Sequence, residues 1–255
     1  MAIRFASLGS GSRGNAALVA ANGSLIMIDC GFSVAEASRR MARLDVSPED
    51  VDAILVTHEH ADHIAGVAKF ARRHGTTVYM THGTARACKD TRVPDLQIMN
   101  PHQAFRIADF DVQPYPVPHD ACEPCQFVLS FNGKRLGILS DAGCITPHMR
   151  KQLEPCDALL LECNHDVDML AQGPYTPMLK QRVGGSLGHL NNGQAADLLA
   201  SIPTAALQHV AVTHISEVNN TPDLAHAAVA QALDEALERI TLADQGNGLP
   251  WMEIN

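Results

Sequence analysis

The chain has 255 residues, with 19 Lys+Arg against 28 Asp+Glu and a formal charge of −9 with histidine neutral. A composition 46% apolar and 18% charged supplies a sizeable core, and no run nears the roughly 18 apolar residues of a membrane span, so no membrane partner is expected. The acidic balance excludes holding nucleic acid by overall basic charge, because phosphate affinity comes from Lys/Arg neutralisation, and leaves open only a local cationic site.

Met1-Ala2-Ile3-Arg4-Phe5 carries no basic region followed by an apolar run and cleavage site, which sets the cytoplasm as the expected compartment. Strands are predicted at Ile3–Leu8, Ala16–Ala20 and Leu25–Ile28, the first two joined by the turn Gly9-Ser10-Gly11-Ser12-Arg13-Gly14-Asn15. Ala35–Leu44 has helical apolar spacing, and Ser47-Pro48-Glu49-Asp50 is a capped turn before the strand Ala53–Val56. Alternation follows, with a helix over Ala61–His74, a strand at Thr77–Met80 and a helix at Thr84–Lys89. A β-rich stretch then covers Ala104–Ile107, Asp111–Val117, Gln126–Phe131 and Arg135–Ser140. Thr221-Pro222 starts a last helix, with threonine as N-cap and proline in the first turn, to about Arg239. No Pro/Ser linker divides the chain, so residues 1–255 are expected to form a single domain.

The chain repeats itself in outline. Leu25-Ile26-Met27-Ile28-Asp29-Cys30-Gly31 parallels Leu136-Gly137-Ile138-Leu139-Ser140-Asp141-Ala142-Gly143. Asp52-Ala53-Ile54-Leu55-Val56-Thr57-His58 parallels Asp157-Ala158-Leu159-Leu160-Leu161-Glu162, and Val210-Ala211-Val212-Thr213-His214 ends the same way. Each polar residue lies just past a strand's carboxyl end, the edge where α/β folds bind ligands.

The densest chemistry is Thr57-His58-Glu59-His60-Ala61-Asp62-His63, where an apolar strand gives way to a helix. Imidazole and carboxylate are the usual N/O ligands of divalent ions such as Zn²⁺. His58 and His60 share a side of an extended segment while Asp62 and His63 open the helix, a spacing that suits two metals better than one. This segment resembles the His-x-His-x-Asp-His signature of the metallo-β-lactamase superfamily, and the resemblance covers nearly the whole chain. The fold it implies is a four-layer αβ/βα sandwich of two similar halves, in agreement with the repeats.

Position by position, the resemblance implies His58, His60 and His119 on one metal and Asp62, His63 and His214 on the other, with Asp141 bridging and Asp29 orienting a ligand. Two divalent ions, Zn, Mn or Fe, would share a hydroxide that Asp62 helps to orient. Ser10-Gly11-Ser12-Arg13-Gly14-Asn15, Glu162-Cys163-Asn164-His165-Asp166, Gly173-Pro174-Tyr175, Leu179-Lys180-Gln181-Arg182-Val183 and Gly188-His189-Leu190-Asn191-Asn192 resemble the YycJ/WalJ-type subfamily and the related tRNase Z and phosphodiesterase branch. That resemblance implies a metal-dependent exonuclease acting on DNA ends, in which Glu162 polarises His189 to assist the leaving group. Ser10, Ser12, Asn15, His165, Lys180 and Arg182 are candidate phosphate or substrate contacts. The long exosite arm of tRNase Z has no counterpart. The rival readings are a thioester or lactone hydrolase of the glyoxalase II type and a non-catalytic sensor of metal and nucleotide. Cys122-Glu123-Pro124-Cys125 departs from the subfamily pattern and is read as two incidental thiols near the site rim rather than a redox pair.

Overall fold

The computed structural model describes residues 2–255. Three antiparallel strands open the chain, β1 (Ile3–Gly9), β2 (Ala16–Ala21) and β3 (Ser24–Ile28). Helix α1 (Val34–Ala42) starts where Ser33 Oγ accepts from Glu36 N, the N-cap bond its sequence favours. The turn at Ser47 is a short 3₁₀ segment, Pro48–Asp50, whose Asp50 carboxylate accepts from Ser47 N. After β4 (Ala53–Leu55) the single helix expected over Ala61–His74 is two, α2 (Ala61–Ile64) and α3 (Val67–His74). The break falls at Gly66, whose N–H donates to Cys30 O at 2.8 Å and whose missing Cβ would lie 1.9 Å from Phe32 O. Tertiary contact with the loop after β3 thus overrides the helical pattern.

Strand β5 (Thr77–Thr81), helix α4 (His82–Ala87) and strand β6 (Leu96–Met99) complete the first half. Three of the four β6 residues are exposed, which removes the apolar alternation that would have announced the strand. The second half runs β7 (Phe105–Ile107), β8 (Phe110–Pro116), β9 (Cys125–Phe131), β10 (Lys134–Leu139), α5 (Pro147–Leu153) and β11 (Ala158–Glu162). It continues through α6 (Val167–Gln172), α7 (Pro177–Val183), α8 (Asn192–Ala200), β12 (His209–Thr213) and α9 (Pro222–Ala232) to β13 (Ile240–Leu242) and β14 (Leu249–Ile254). The last helix therefore stops seven residues before Arg239: Asp234 and Glu235 take φ of 52° and 62°, a left-handed turn that no helix continues through.

Two seven-stranded sheets result, ordered β14-β1-β2-β3-β4-β5-β6 and β13-β12-β11-β10-β9-β8-β7. Each passes from antiparallel pairing to a parallel run, β3 to β6 in one and β10 to β13 in the other. The halves foreseen from the repeats are therefore present, although β14 crosses from the end of the second half to pair with β1. Between the sheets pack Phe5, Ile26 and Ile28 with Phe127, Ile138 and Leu160. On the outer faces, Met41 and Phe70 of α1 and α3 cover the first sheet, and Met149, Leu198 and Val229 of α5, α8 and α9 cover the second. This is the helix–sheet–sheet–helix layering expected. Leu159-Leu160-Leu161 shows why its apolar run is continuous: Leu159 and Leu161 face the helices while Leu160 faces the other sheet. Among the described residues no helix is long and apolar enough to cross a membrane.

Candidate metal centre

Five of the parallel strands, β3, β4, β10, β11 and β12, hand over a polar residue at a common edge. Ile28 of β3 is followed by Asp29, Leu55 of β4 leads to Thr57 and His58, β10 leads to Asp141, β11 ends on Glu162, and β12 is followed by His214. Asp29, Asp141 and His214 adopt φ of 58°, 52° and 54°. For residues with a Cβ this left-handed backbone costs roughly 1 kcal/mol or more each, and it turns the chain sharply so that the side chain stays at the strand edge. Helix α2 begins just after His60, placing Asp62 and His63 in its first turn. Gly31 admits that turn, because a Cβ there would lie 1.8 Å from Asp62 O.

Most of the imidazoles are held by one nitrogen and present the other. Asp29 accepts from Thr57 N and Thr57 Oγ1, both at 2.8 Å, and its Oδ2 lies 2.8 Å from His63 Nδ1. Thr57 Oγ1 is in turn 2.9 Å from His58 Nδ1. His119 Nδ1 lies 2.9 Å from Gly188 O, and His60 Nε2 lies 3.2 Å from Asp120 O. The free nitrogens converge. Atoms of His58, His60 and His119 lie within 4.8 Å of one another, as do those of Asp62, His63 and His214. Asp141 stands between the two groups, with Oδ2 3.1 Å from His63 Nε2 and Oδ1 3.7 Å from His214 Nε2 and 4.0 Å from His119 Nε2.

This donor set fits divalent cations. His58 Nε2 and His214 Nε2 are buried without a hydrogen-bond partner, an arrangement that buried polar atoms avoid unless something else satisfies them. Burial, aided by the charge of His63, holds His58 well below the ordinary imidazole range, so its lone pair is available. His214, despite burial, is lifted to about 10 by Asp141, Asp62 and Glu162. Such a pull for positive charge is one that a cation would satisfy by displacing protons. Carboxylates and carbonyls on the far nitrogen are also what metal-binding histidines use.

Glu162 is fully buried. Its Oε1 lies 2.8 Å from His189 Nδ1 and also 3.1 Å from His214 Nδ1, while Oε2 accepts from Ala142 N at 3.2 Å and Leu190 N at 3.1 Å. Glu162 and His189 are thus brought together, and the same carboxylate also reaches the ring of His214. Burial opposes the charge, yet His189 and His214 hold Glu162 down to about 2. Burial likewise disfavours a protonated His189, but Glu162 outweighs it and raises the ring above its ordinary value.

A cavity of about 320 Å³ opens over this cluster, lined among others by Ser12, Asp62, Asp120, Tyr175, Leu179, Arg182, His189 and Asn219. The other expected substrate contacts point elsewhere. Ser10 Oγ accepts from His214 N at 2.8 Å, and the buried Asn15 bonds Gly11 N and O and approaches Asp62 Oδ2 at 3.2 Å, so both brace the cluster. His165 is buried outside the lining, and Lys180 Nζ donates to Ala171 O at 2.6 Å. Arg182 reaches the cavity with its Nε 2.5 Å from Asp120 Oδ2. Thr57, inside the quoted histidine segment, and Asp120, next to His119, gave no sign in the sequence, because a hydroxyl and an extra acid beside histidines carry no spacing signal. Cys122 is exposed, its N–H donating to Glu59 Oε1, whereas Cys125 packs between the sheets; both are free thiols.

The sequence matches the family model of the β-lactamase superfamily domain over residues 25–215. It is 34% identical over 241 residues to an exodeoxyribonuclease YycJ of Bacillus anthracis, an alignment spanning 92% of this chain and 90% of that one. It is 31% identical over 239 residues to an exodeoxyribonuclease WalJ of Streptococcus pneumoniae, covering 91% and 89%. The fold matches that of the metallo-β-lactamase fold protein YhfI of Bacillus subtilis with a TM-score of 0.76 at 16% identity, over 99% of this chain and 100% of the other. The chain belongs to the metallo-β-lactamase superfamily of metal-dependent hydrolases, in the group that holds YycJ and WalJ.

Proposed function

We propose that the protein is a phosphodiesterase with two divalent cations that shortens DNA from an end. The observation that carries this reading is the buried Glu162 holding His189 by Nδ1 at 2.8 Å on the wall of the cavity, an acid–base pair suited to a departing alkoxide and one that expulsion of a thiolate does not need. His58, His60 and His119 would hold one cation and Asp62, His63 and His214 the other, with Asp141 shared between them. Bound there, the cations would supply the Lewis acidity that polarises a phosphodiester and acidifies water.

The remaining work falls to side chains. Asp62, braced by Asn15, orients the attacking water, and Asp29 with Thr57 keeps His58 and His63 in the tautomers that leave Nε2 free. His189, kept protonated by Glu162, delivers a proton from Nε2 to the departing alkoxide, a role worth roughly 10²–10⁴ in rate. Arg182 and Ser12 orient the phosphate. A cavity near the low end of the roughly 300–1,000 Å³ typical of ligand sites suits one terminal nucleotide better than a duplex, and residues 1–255 act as one domain with this single catalytic edge.

Metal analysis of the purified protein, followed by cleavage of end-labelled single- and double-stranded DNA beside bis-p-nitrophenyl phosphate and a glutathione thioester, tests the reading. Two metals per chain with stepwise shortening of DNA is the expected result. Thioester turnover without phosphodiester cleavage would overturn it.

A further inference from the structure

The floor and outer wall of the cavity contain groups that the chemistry above does not use. Asn219 is fully buried at the floor, and neither its Nδ2 nor its Oδ1 has a hydrogen-bond partner among the described residues. Its backbone is pinned, N–H on Ser216 Oγ at 3.1 Å and carbonyl accepting from Asp166 N at 2.9 Å, so the carboxamide alone is left over. Gly173 passes over it without a side chain; a Cβ there would lie 2.6 Å from Oδ1. Two residues later Tyr175, half-buried, is the one Phe, Tyr or Trp ring among the lining residues. Leu179 adds apolar surface to the same lining, and Met178, its neighbour in sequence, stands 80% exposed.

These features select a ligand chemistry. A carboxamide offers a donor and an acceptor side by side, which matches a nucleobase edge, whereas a phosphate only accepts. An aromatic ring beside apolar side chains stacks any base. The cavity is poor in groups that would track a backbone instead: Arg182 is the one Lys or Arg in its lining and is already paired with Asp120.

We propose that this wall is a nucleobase subsite, with Tyr175 as the stacking face and the Asn219 carboxamide as the hydrogen-bonding partner, which holds the terminal nucleotide of an unpaired strand. The proposal deepens the nuclease reading and rests on it for the strand, though base recognition itself is measurable without turnover. Pairing would occupy the base edge that Asn219 requires, so the end must be single-stranded when it is bound.

The test is calorimetric binding of deoxyadenosine 5′-monophosphate and of 2-deoxyribose 5-phosphate to the metal-loaded protein. The nucleotide should bind about 10- to 100-fold more tightly than the sugar phosphate, the margin expected of one stacked base. Tyr175→Leu should remove most of that margin and Tyr175→Phe should keep it, with metal content unchanged in both. Asn219→Ser should reduce it, and because that residue is buried, the tyrosine pair carries the test if this variant does not fold. Equal affinities in the parent protein, or a margin that survives Tyr175→Leu, would overturn the subsite. A base-dependent margin in a protein that leaves DNA ends intact would retain the subsite and refute the exonuclease reading, whereas DNA shortening with equal affinities would do the reverse.

Discussion

Replacing Glu162 by glutamine changes almost no volume and removes one charge at a point where four donors meet. Oε1 receives His189 Nδ1 and His214 Nδ1, and Oε2 receives the N–H groups of Ala142 and Leu190. An amide has one oxygen for these two places. With its NH₂ toward the backbone, two buried N–H groups lose their acceptor, each at a cost of about 1–3 kcal/mol. With its NH₂ toward the rings, both imidazoles must accept at Nδ1 and carry their proton on Nε2, which takes the lone pair of His214 from the cation and changes the tautomer of His189. Turnover of bis-p-nitrophenyl phosphate and of end-labelled DNA should therefore fall by about 10²–10⁴, and metal affinity by about 10–100-fold. Steady-state rates at saturating metal, metal content and the melting temperature of Glu162→Gln together decide it. Turnover within about twofold of the parent at full metal content would show that this carboxylate sets neither ring, and the acid–base assignment would fall.

His189→Ala should retain both cations yet lose about 10²–10⁴ in phosphodiester turnover, most of it in kcat, and unchanged turnover would remove its proton-donating role. Stripping the cations with a chelator should abolish hydrolysis and lower the melting temperature by several degrees, since a ligand present at 100 times its Kd stabilises by about 2.7 kcal/mol; full activity after complete removal would refute the site. Glu36 is bonded to Arg39 and Arg40, which hold its carboxyl down from 4.5 to about 2. Its stabilising effect is complete above pH 4.5 and is lost as pH falls through about 2. Because the pair is partly exposed, Glu36→Gln should cost no more than about 1 kcal/mol near neutrality. The gap between the two proteins in urea unfolding should close on acidification, and a gap independent of pH would contradict the assignment.

His58, Asp141 and His214 were legible in sequence as candidate ligands because each follows an apolar strand, and the strand register that brings such strand ends together is itself written in buried side chains. Leu136 to Leu139 lie against Ala158 to Leu161, and those against His209 to Val212, so polar residues one or two places beyond must share an edge. Strands β6 and β13 escaped because exposed or very short edge segments lack alternation, and the pairing of β14 with β1 is a long-range fact that no local pattern encodes. Gly66 was invisible for the same reason: its conformation answers to Cys30 and Phe32, not to its neighbours in sequence. Among the proposed contacts, Ser10 and Asn15 were recognisable as polar loop residues, but only the folded chain shows that their bonds run to His214 and Asp62.

The pairing of β14 with β1 bears on how the protein comes to be made. Leu249–Ile254 close the edge of a sheet begun by Ile3–Gly9. Just before them Gln245 accepts from Arg13 N and donates to Gly14 O, clasping the loop that carries Ser10 and Asn15. A chain emerging from the ribosome can pair β1, β2 and β3 and pack α1 against them early. It cannot fix that loop until residue 245 and the strand after it have been synthesised. A nascent chain stalled short of β14 would therefore carry every proposed ligand without the frame that aligns them.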